Sequence, residues 1–387
     1  MARLHGPTSL VLGLIIVACT GPAQTIRPTI LPTMASPVGP TAGPTPTSPA
    51  TTNPPPSATS ESTGIPTETA PPPSGTPVPL GWLERTDVPA GPSAREDHTW
   101  TVDEAATTAY LFGGRGAGGA SDELWAFDLA TDSWSQLTQA VDTPIPEPRF
   151  GHTATWVPDV GLVIWSGQGN SAFFDDIWAW KTATNSWLEL ASLGAVPAAR
   201  YGSCASLGPD GELWISHGFT EDTGRFADTR SYDFETGSWT DRTPADRVPV
   251  ERCLHDCFWL SNDQLILYGG QTTGVAALGD IWAYDLATAA WTEGGRPAAP
   301  ARQLYAQAAF GFGAIVFGGG SLDGGFLADM WMIDPQSLGL VPAEVGPGPT
   351  ARAGATVIRD LARIRLLLFG GTNAAGALGD LWELGLP

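Results

Sequence analysis

Residues 110–114 read Tyr110-Leu111-Phe112-Gly113-Gly114, and residues 123–125 read Glu123-Leu124-Trp125. The same phrase returns along the chain. It has an opening Arg, an apolar run ending in glycine, an acid before an apolar–Trp pair, and usually a closing Trp. Its glycine slot falls at Gly114, Gly167, Gly218, Gly270, Gly319 and Gly371, at steps of 49 to 53 residues. Apolar runs such as Leu265-Ile266-Leu267-Tyr268 are too short for a helix and carry no alternation, which marks strands buried on both faces. The glycines at their ends allow a sharp turn with positive φ.

A period near fifty residues implies one small sheet per repeat, closed radially into a propeller. The expected fold is therefore all-β and six-bladed over residues 81–387. The opening Arg is Arg95, Arg149, Arg200, Arg252, Arg302 and Arg352. The acid is Glu123, Asp176, Asp228, Asp280, Asp329 and Asp380. Repeat three has Arg230 where the others have Trp. Closing residues Trp134, Trp187, Trp239 and Trp291 fit the wedge between neighbouring sheets, where a large ring buries most area. Repeat six ends at Trp382-Glu383-Leu384 without a closing strand. Trp82-Leu83-Glu84 lies 52 residues before Trp134 and has that strand's wording. The first strand is thus expected to complete the last blade.

Arg near the start, a hydrophobic run with a double glycine, and spaced aromatics together resemble the kelch repeat. The likeness covers residues 82 to 387, with the double glycine reduced to Ser166-Gly167 and His217-Gly218 in repeats two and three. In kelch-like proteins the start of the innermost strand lies near one mouth of the central channel. The resemblance thus makes Arg95, Arg149, Arg200, Arg252, Arg302 and Arg352 candidate ligand-binding residues for an anionic group, since guanidinium forks suit carboxylates and phosphates. Equal numbers of Arg and acid at one period also imply a second reading, in which they pair inside the blade. The loop Gly218-Phe219-Thr220-Glu221-Asp222-Thr223-Gly224-Arg225 breaks the pattern and makes blade three a second candidate surface.

The rest of the chain differs in composition. All 16 tryptophans lie at or after Trp82, whereas residues 20 to 80 hold most of the 35 prolines. Residues 1–18 read as a signal peptide, with Arg3 and an apolar stretch too short to span a bilayer. Ile16-Val17-Ala18-Cys19 resembles the bacterial lipoprotein box, which makes Cys19 the lipidation site. Residues 19–80 then form a Pro/Thr/Ser-rich tether that buries no apolar area and is expected to be disordered. Its composition also suits O-glycosylation.

The formal charge is −21, with 40 acidic residues against 19 basic ones. Such a surface repels phosphate backbones, so nucleic acid is not an expected partner. His98, His152 and His255 stand three residues after the slot Arg, as kelch wording explains without a metal. No motif calls for a catalytic residue, metal or cofactor. Galactose oxidase is a kelch-like enzyme with a copper site, but the tyrosines here are mostly repeat-slot residues. Among the cysteines after the tether, Cys204 bridged to Cys253 or Cys257 is the favoured pairing. A Cys253–Cys257 bridge across a bend and three reduced thiols are the alternatives. The function expected is a membrane-anchored, extracytoplasmic binding module for a protein or glycan, touching the membrane through its lipid only. Alternatives are a sugar-acid mutarotase and an envelope scaffold.

Overall fold

A computed structural model describes residues 81–386, apart from 141, 142, 296, 311 and 335. The expected signal peptide (1–18), Cys19 and the tether (19–80) lie outside the described residues. The repeat folds as six antiparallel four-stranded units, with short additional strands at the edges of two of them. Blade one uses Thr99–Val102, Thr108–Phe112, Leu124–Asp128 and Ser133–Leu137, from the inside outwards. Blades two to five repeat that order, with inner strands Thr153–Val157, Cys204–Leu207, Asp256–Trp259 and Ala306–Phe310. Blade six has Thr356–Asp360, Arg365–Phe369 and Leu381–Gly385, and its outer strand is Trp82–Glu84. Trp82 pairs with Leu384 and Glu84 with Trp382 in antiparallel register. The ring is closed by both ends of the described chain, as the wording of Trp82-Leu83-Glu84 implied.

Burial explains why the second strands are unbroken apolar runs. Leu111, Phe112, Leu162, Ile164, Trp165, Leu265 through Tyr268 and Leu366 through Leu368 are fully buried, because each blade is covered on both faces by its neighbours. The closing tryptophans are the wedges. Trp134 of blade one packs on Phe369 of blade six, with ring centroids 5.5 Å apart. Trp187 meets Phe112 at 5.0 Å, Trp239 meets Trp165 at 5.5 Å, and Trp82 meets Phe317 at 5.4 Å. Each reaches back to the preceding blade. In blade five Leu340 takes this place, packed with Ile266 and Tyr268 of blade four.

Ions lock the seam where the ends meet. Arg85, just past the first strand, pairs with Glu383 and with Asp132 of blade one at 2.9 Å. Arg365 reaches Glu383 at 2.6 Å and Asp360 at 2.8 Å. A covalent tie joins blades three and four: Cys204 and Cys257 form a disulfide between adjacent inner strands. This selects one of the expected pairings of Cys204. Cys253 is buried in a different cluster, with Phe150, Tyr201, Phe219 and Leu254.

Candidate binding site at the channel mouth

Four consecutive positions of each repeat, beginning at the opening Arg, build the centre of the propeller. The Arg itself points into the blade. In all six blades Nε donates to the carbonyl two residues earlier, at 2.9–3.2 Å. Nη1 donates to the carbonyl of the first residue of the glycine slot, from Gly113 in blade one to Gly370 in blade six, at 2.8–2.9 Å. The remaining donors hold the acid of the same blade. Arg149 takes Asp176 at 2.6 and 2.8 Å, and Arg252 takes Asp280 at 2.8 and 2.7 Å. Arg200 pairs with Asp228, Arg302 with Asp329, Arg352 with Asp380, and Arg95 with Glu123.

The indole N–H two residues after the acid donates to the same carboxylate, at 2.6–3.2 Å, from Trp125, Trp178, Trp282, Trp331 and Trp382. Burial alone would raise the carboxyls of Asp280, Asp329 and Asp380. The facing guanidinium and indole outweigh it and hold all three below the usual range. Arg95, Arg149, Arg200, Arg252, Arg302 and Arg352 are each at most 2% exposed, and none lines the channel or its mouth. Their geometry is that of internal struts, the pairing implied by the shared period of Arg and acid.

The position two residues after the Arg forms a closed ring. Gly151 N–H donates to Asp97 C=O, Gly202 to Gly151, Leu254 to Gly202, Leu304 to Leu254, Gly354 to Leu304, and Asp97 to Gly354, all at 2.7–2.9 Å. Every one of these residues has positive φ, including Asp97 (54°), Leu254 (60°) and Leu304 (49°). At Gly354 the glycine is required by space as well. A Cβ there would stand 2.5 Å from Asp97 Oδ1. A parallel ring runs outside it: the second glycine of each blade donates to the Arg carbonyl of the next, ending with Gly371 to Arg95 at 2.9 Å.

The ring separates two spaces. Below it, a channel of about 260 Å3 is walled by the position three after the Arg, namely His98, His152, Ser203, His255, Tyr305 and Ala355. His98 Nε2 bonds Thr356 Oγ1 at 2.6 Å and His152 Nε2 bonds Thr99 Oγ1 at 2.9 Å, each from blade to blade. Burial, reinforced by Arg95, drops His98 to about 3, and burial likewise holds His152 and His255 neutral. Among the described residues no three His, Cys, Asp or Glu side chains are placed to hold a metal ion.

Above the ring lies the mouth. Here the residue after each Arg pairs, backbone to backbone, with the residue after each second glycine. The pairs are Glu96 with Arg115, Phe150 with Gln168, Tyr201 with Phe219, Cys253 with Gln271, Gln303 with Gly320, and Ala353 with Thr372. The slots directly before them, the Arg and the second glycine, are constant, and no two blades carry the same pair. Blades two and three give an aromatic wall of Phe150, Tyr201 and Phe219, backed by Phe173. Blades five and six give small residues, Gly320 and Ala353, and open a pocket of about 260 Å3 floored by Asp97 and Leu304. Burial and the neighbouring Glu96 push the Asp97 carboxyl up to about 7, against the opposing pull of Arg115. The irregular loop of blade three rises beside this mouth. Arg225 hydrogen-bonds Thr273 of blade four at 3.0 Å and lies over the Phe219 ring at 5.6 Å.

The mouth pairs were not singled out in the sequence. Their signal is variation in two slots that directly follow constant ones.

A family model described as "KLHDC2/KLHL20/DRC7 Kelch-repeats domain" matches residues 81–270 and 232–386. The chain is 28% identical over 221 residues to Kelch domain-containing protein 3 of Homo sapiens, covering 54% of this chain and 56% of that one. It is 26% identical over 245 residues to Kelch domain-containing protein 2 of Bos taurus, covering 54% and 58%. Acyl-CoA-binding domain-containing protein 4 of Arabidopsis thaliana is 27% identical over 249 residues, covering 60% and 36%. The matches to the two Kelch domain-containing proteins span a little over half the length of those relatives. Six blades with the Arg–acid–Trp strut and glycine turn in phase, and a family match over nearly all of them, place this chain in the kelch-repeat family.

Proposed function

We propose that this propeller, a protein-interaction type of module, works outside the cytoplasm, tethered to a membrane through lipidated Cys19, and engages a protein partner at the channel mouth. The observation that carries the mouth assignment is the contrast between slots. The strut, the ring and the wedge repeat around the molecule, whereas no residue type is common to all six mouth pairs, Gln168 and Gln271 being the one repeat within a slot. A repeat fold needs the former for its geometry, and divergence around the opening of a rigid scaffold is where a specific partner is read.

Two features support the location. Ile16-Val17-Ala18-Cys19 resembles a lipoprotein box ahead of a Pro/Thr/Ser-rich tract of spacer composition. The Cys204–Cys257 disulfide suits an oxidising compartment.

Capture of partners from an envelope extract by the full chain tests the mouth. Thr372→Trp places a large ring over the pocket at a half-buried position, and is expected to abolish capture without lowering thermal stability. Capture unchanged by this plug would refute the mouth as the interface. Cys19→Ser should move the protein from the membrane to the soluble fraction. Persistent membrane association of that variant would refute the lipid anchor.

A further inference from the structure

The mouth pocket has a chemical bias that its location alone does not supply. Its floor is Asp97, whose side chain is 3% exposed. Among the described residues, Asp97 Oδ1 has no hydrogen-bond partner, and neither has Gln303 Oε1 in the same lining. Both orphan atoms are acceptors. A buried acceptor without a donor is costly, and a ligand group that supplies the donor recovers that cost.

Charge points the same way. Glu96 and Asp97 face one cation, Arg115, among the described residues lining the pocket. Glu96 Oε1 already accepts from Arg115 Nε and Nη2, at 3.1 and 2.9 Å, and Arg115 lies over the Phe150 ring at 4.5 Å. Its nearest approach to Asp97 is 3.8 Å. The guanidinium is therefore engaged by Glu96, and with both carboxyls ionised one negative charge is left over. Tyr201, also in the lining, adds an aromatic ring to the pocket wall, and such rings attract cations. The whole chain, at −21, draws positive partners.

Size limits the occupant. The pocket, at about 260 Å3, is smaller than the roughly 300–1,000 Å3 typical of small-molecule sites. It has the scale of one long side chain entering from above.

We infer that the mouth pocket receives a single basic side chain, arginine or lysine, projecting from a loop of the protein partner, with Asp97 as its counter-charge and Gln303 as a second acceptor. This rests on the mouth being the interface, and it names what the interface reads. An ionised Asp97 binds the cation best, so entry of the side chain displaces a proton from a carboxyl poised near neutrality. Glu96, Arg115 and Tyr201 are the other ionisable groups among the described residues lining the pocket.

The test is a titration of the full chain with N-acetyl-arginine methylamide, N-acetyl-lysine methylamide and the neutral isostere N-acetyl-citrulline methylamide. The two cations are expected to bind saturably and compete with each other, with citrulline at least tenfold weaker. Asp97→Asn should weaken the cations at least tenfold. Their affinity for the native chain should rise several-fold from about pH 6 to about pH 8, and that rise should vanish in Asp97→Asn. Gln303→Leu, which keeps every charge, should weaken the cations to a lesser degree. Equal binding of citrulline, no saturable binding of either cation, or full affinity in Asp97→Asn would overturn the inference. Failure here with partner capture still abolished by Thr372→Trp would leave the interface standing without its basic side chain. Cation binding with capture unaffected by Thr372→Trp would keep the pocket and remove the interface.

Discussion

Arg230 donates to Asp228 Oδ2 at 3.2 Å, on the carboxylate that a tryptophan indole serves in the other five blades. The one departure from the Trp slot thus keeps the hydrogen bond and changes only the donor. Asp228 is in turn the partner of the buried Arg200. Asp228→Ala strands that guanidinium and should destabilise the fold by about 3–5 kcal/mol, as removal of one buried partner does. Arg230→Trp restores the usual donor and should change stability by less than about 1 kcal/mol. Denaturant unfolding of both variants checks the pair, and equal losses would show that Arg200 does not depend on Asp228.

Closure depends on ions as well as on strand pairing. Glu383 is 8% exposed and meets both Arg85 and Arg365. Glu383→Ala should cost about 3–5 kcal/mol. Asp87 also pairs with Arg85, but it is 69% exposed, and Asp87→Ala should leave the melting midpoint where it is. Deletion of residues 81–87 removes the outer strand of blade six and should abolish cooperative folding. Calorimetry of the three variants tests the order, and a fully stable deletion would contradict closure by the first strand.

The Cys204–Cys257 bridge closes a loop of 53 residues between neighbouring inner strands. Loop-closure entropy for that length gives stabilisation of up to about 4 kcal/mol. Reductant, or the double substitution to Ala, should lower the unfolding midpoint without changing the fold. An unchanged midpoint on reduction would show that the native chain does not carry this bridge.

Asp97 makes stability depend on pH with an unusual sign. Its folded-state value is raised from 3.8 to about 7 by burial and by Glu96. In the unfolded chain it ionises near the ordinary value, so between these two the unfolded state binds fewer protons. Asp97's contribution is therefore full at acid pH and falls as pH rises from about 4 to 7. Asp97→Asn should flatten that fall and stabilise the protein at pH 8 by on the order of 1–3 kcal/mol. Thermal scans of both proteins across that range check it. A native chain that gains stability over the window relative to Asp97→Asn would contradict the assignment.

The fold was legible because its determinants repeat. Arg149, Asp176 and Trp178 form one strut, and the strut recurs at a period that only a radial arrangement explains. Trp82 could be matched to Trp187 and Trp239 by wording, and the register of Trp82 with Leu384 agrees. The pairing of Cys204 was legible to within two residues. The choice of Cys257 follows from geometry: it sits on the inner strand facing Cys204, while Cys253 lies across the ring beside the mouth.

The site was hidden for the opposite reason. Arg302 is constant and catches the eye, but it is fully buried, and the neighbour that reaches the mouth is Gln303. Positive φ at Leu254 and Leu304 is likewise invisible in residues that do not favour it. Only the glycines in the same slot, Gly151, Gly202 and Gly354, hint at the ring.

The most direct measurement places a photo-crosslinking residue at each end of the propeller in cells, at Leu322, 58% exposed beside the pocket-lining Ser321, and at Phe312, a 74% exposed residue in the turn after the inner strand of blade five. Crosslinks to a partner from position 322 and none from 312 are the predicted result. Crosslinks from 312 alone would contradict the mouth as the face that binds.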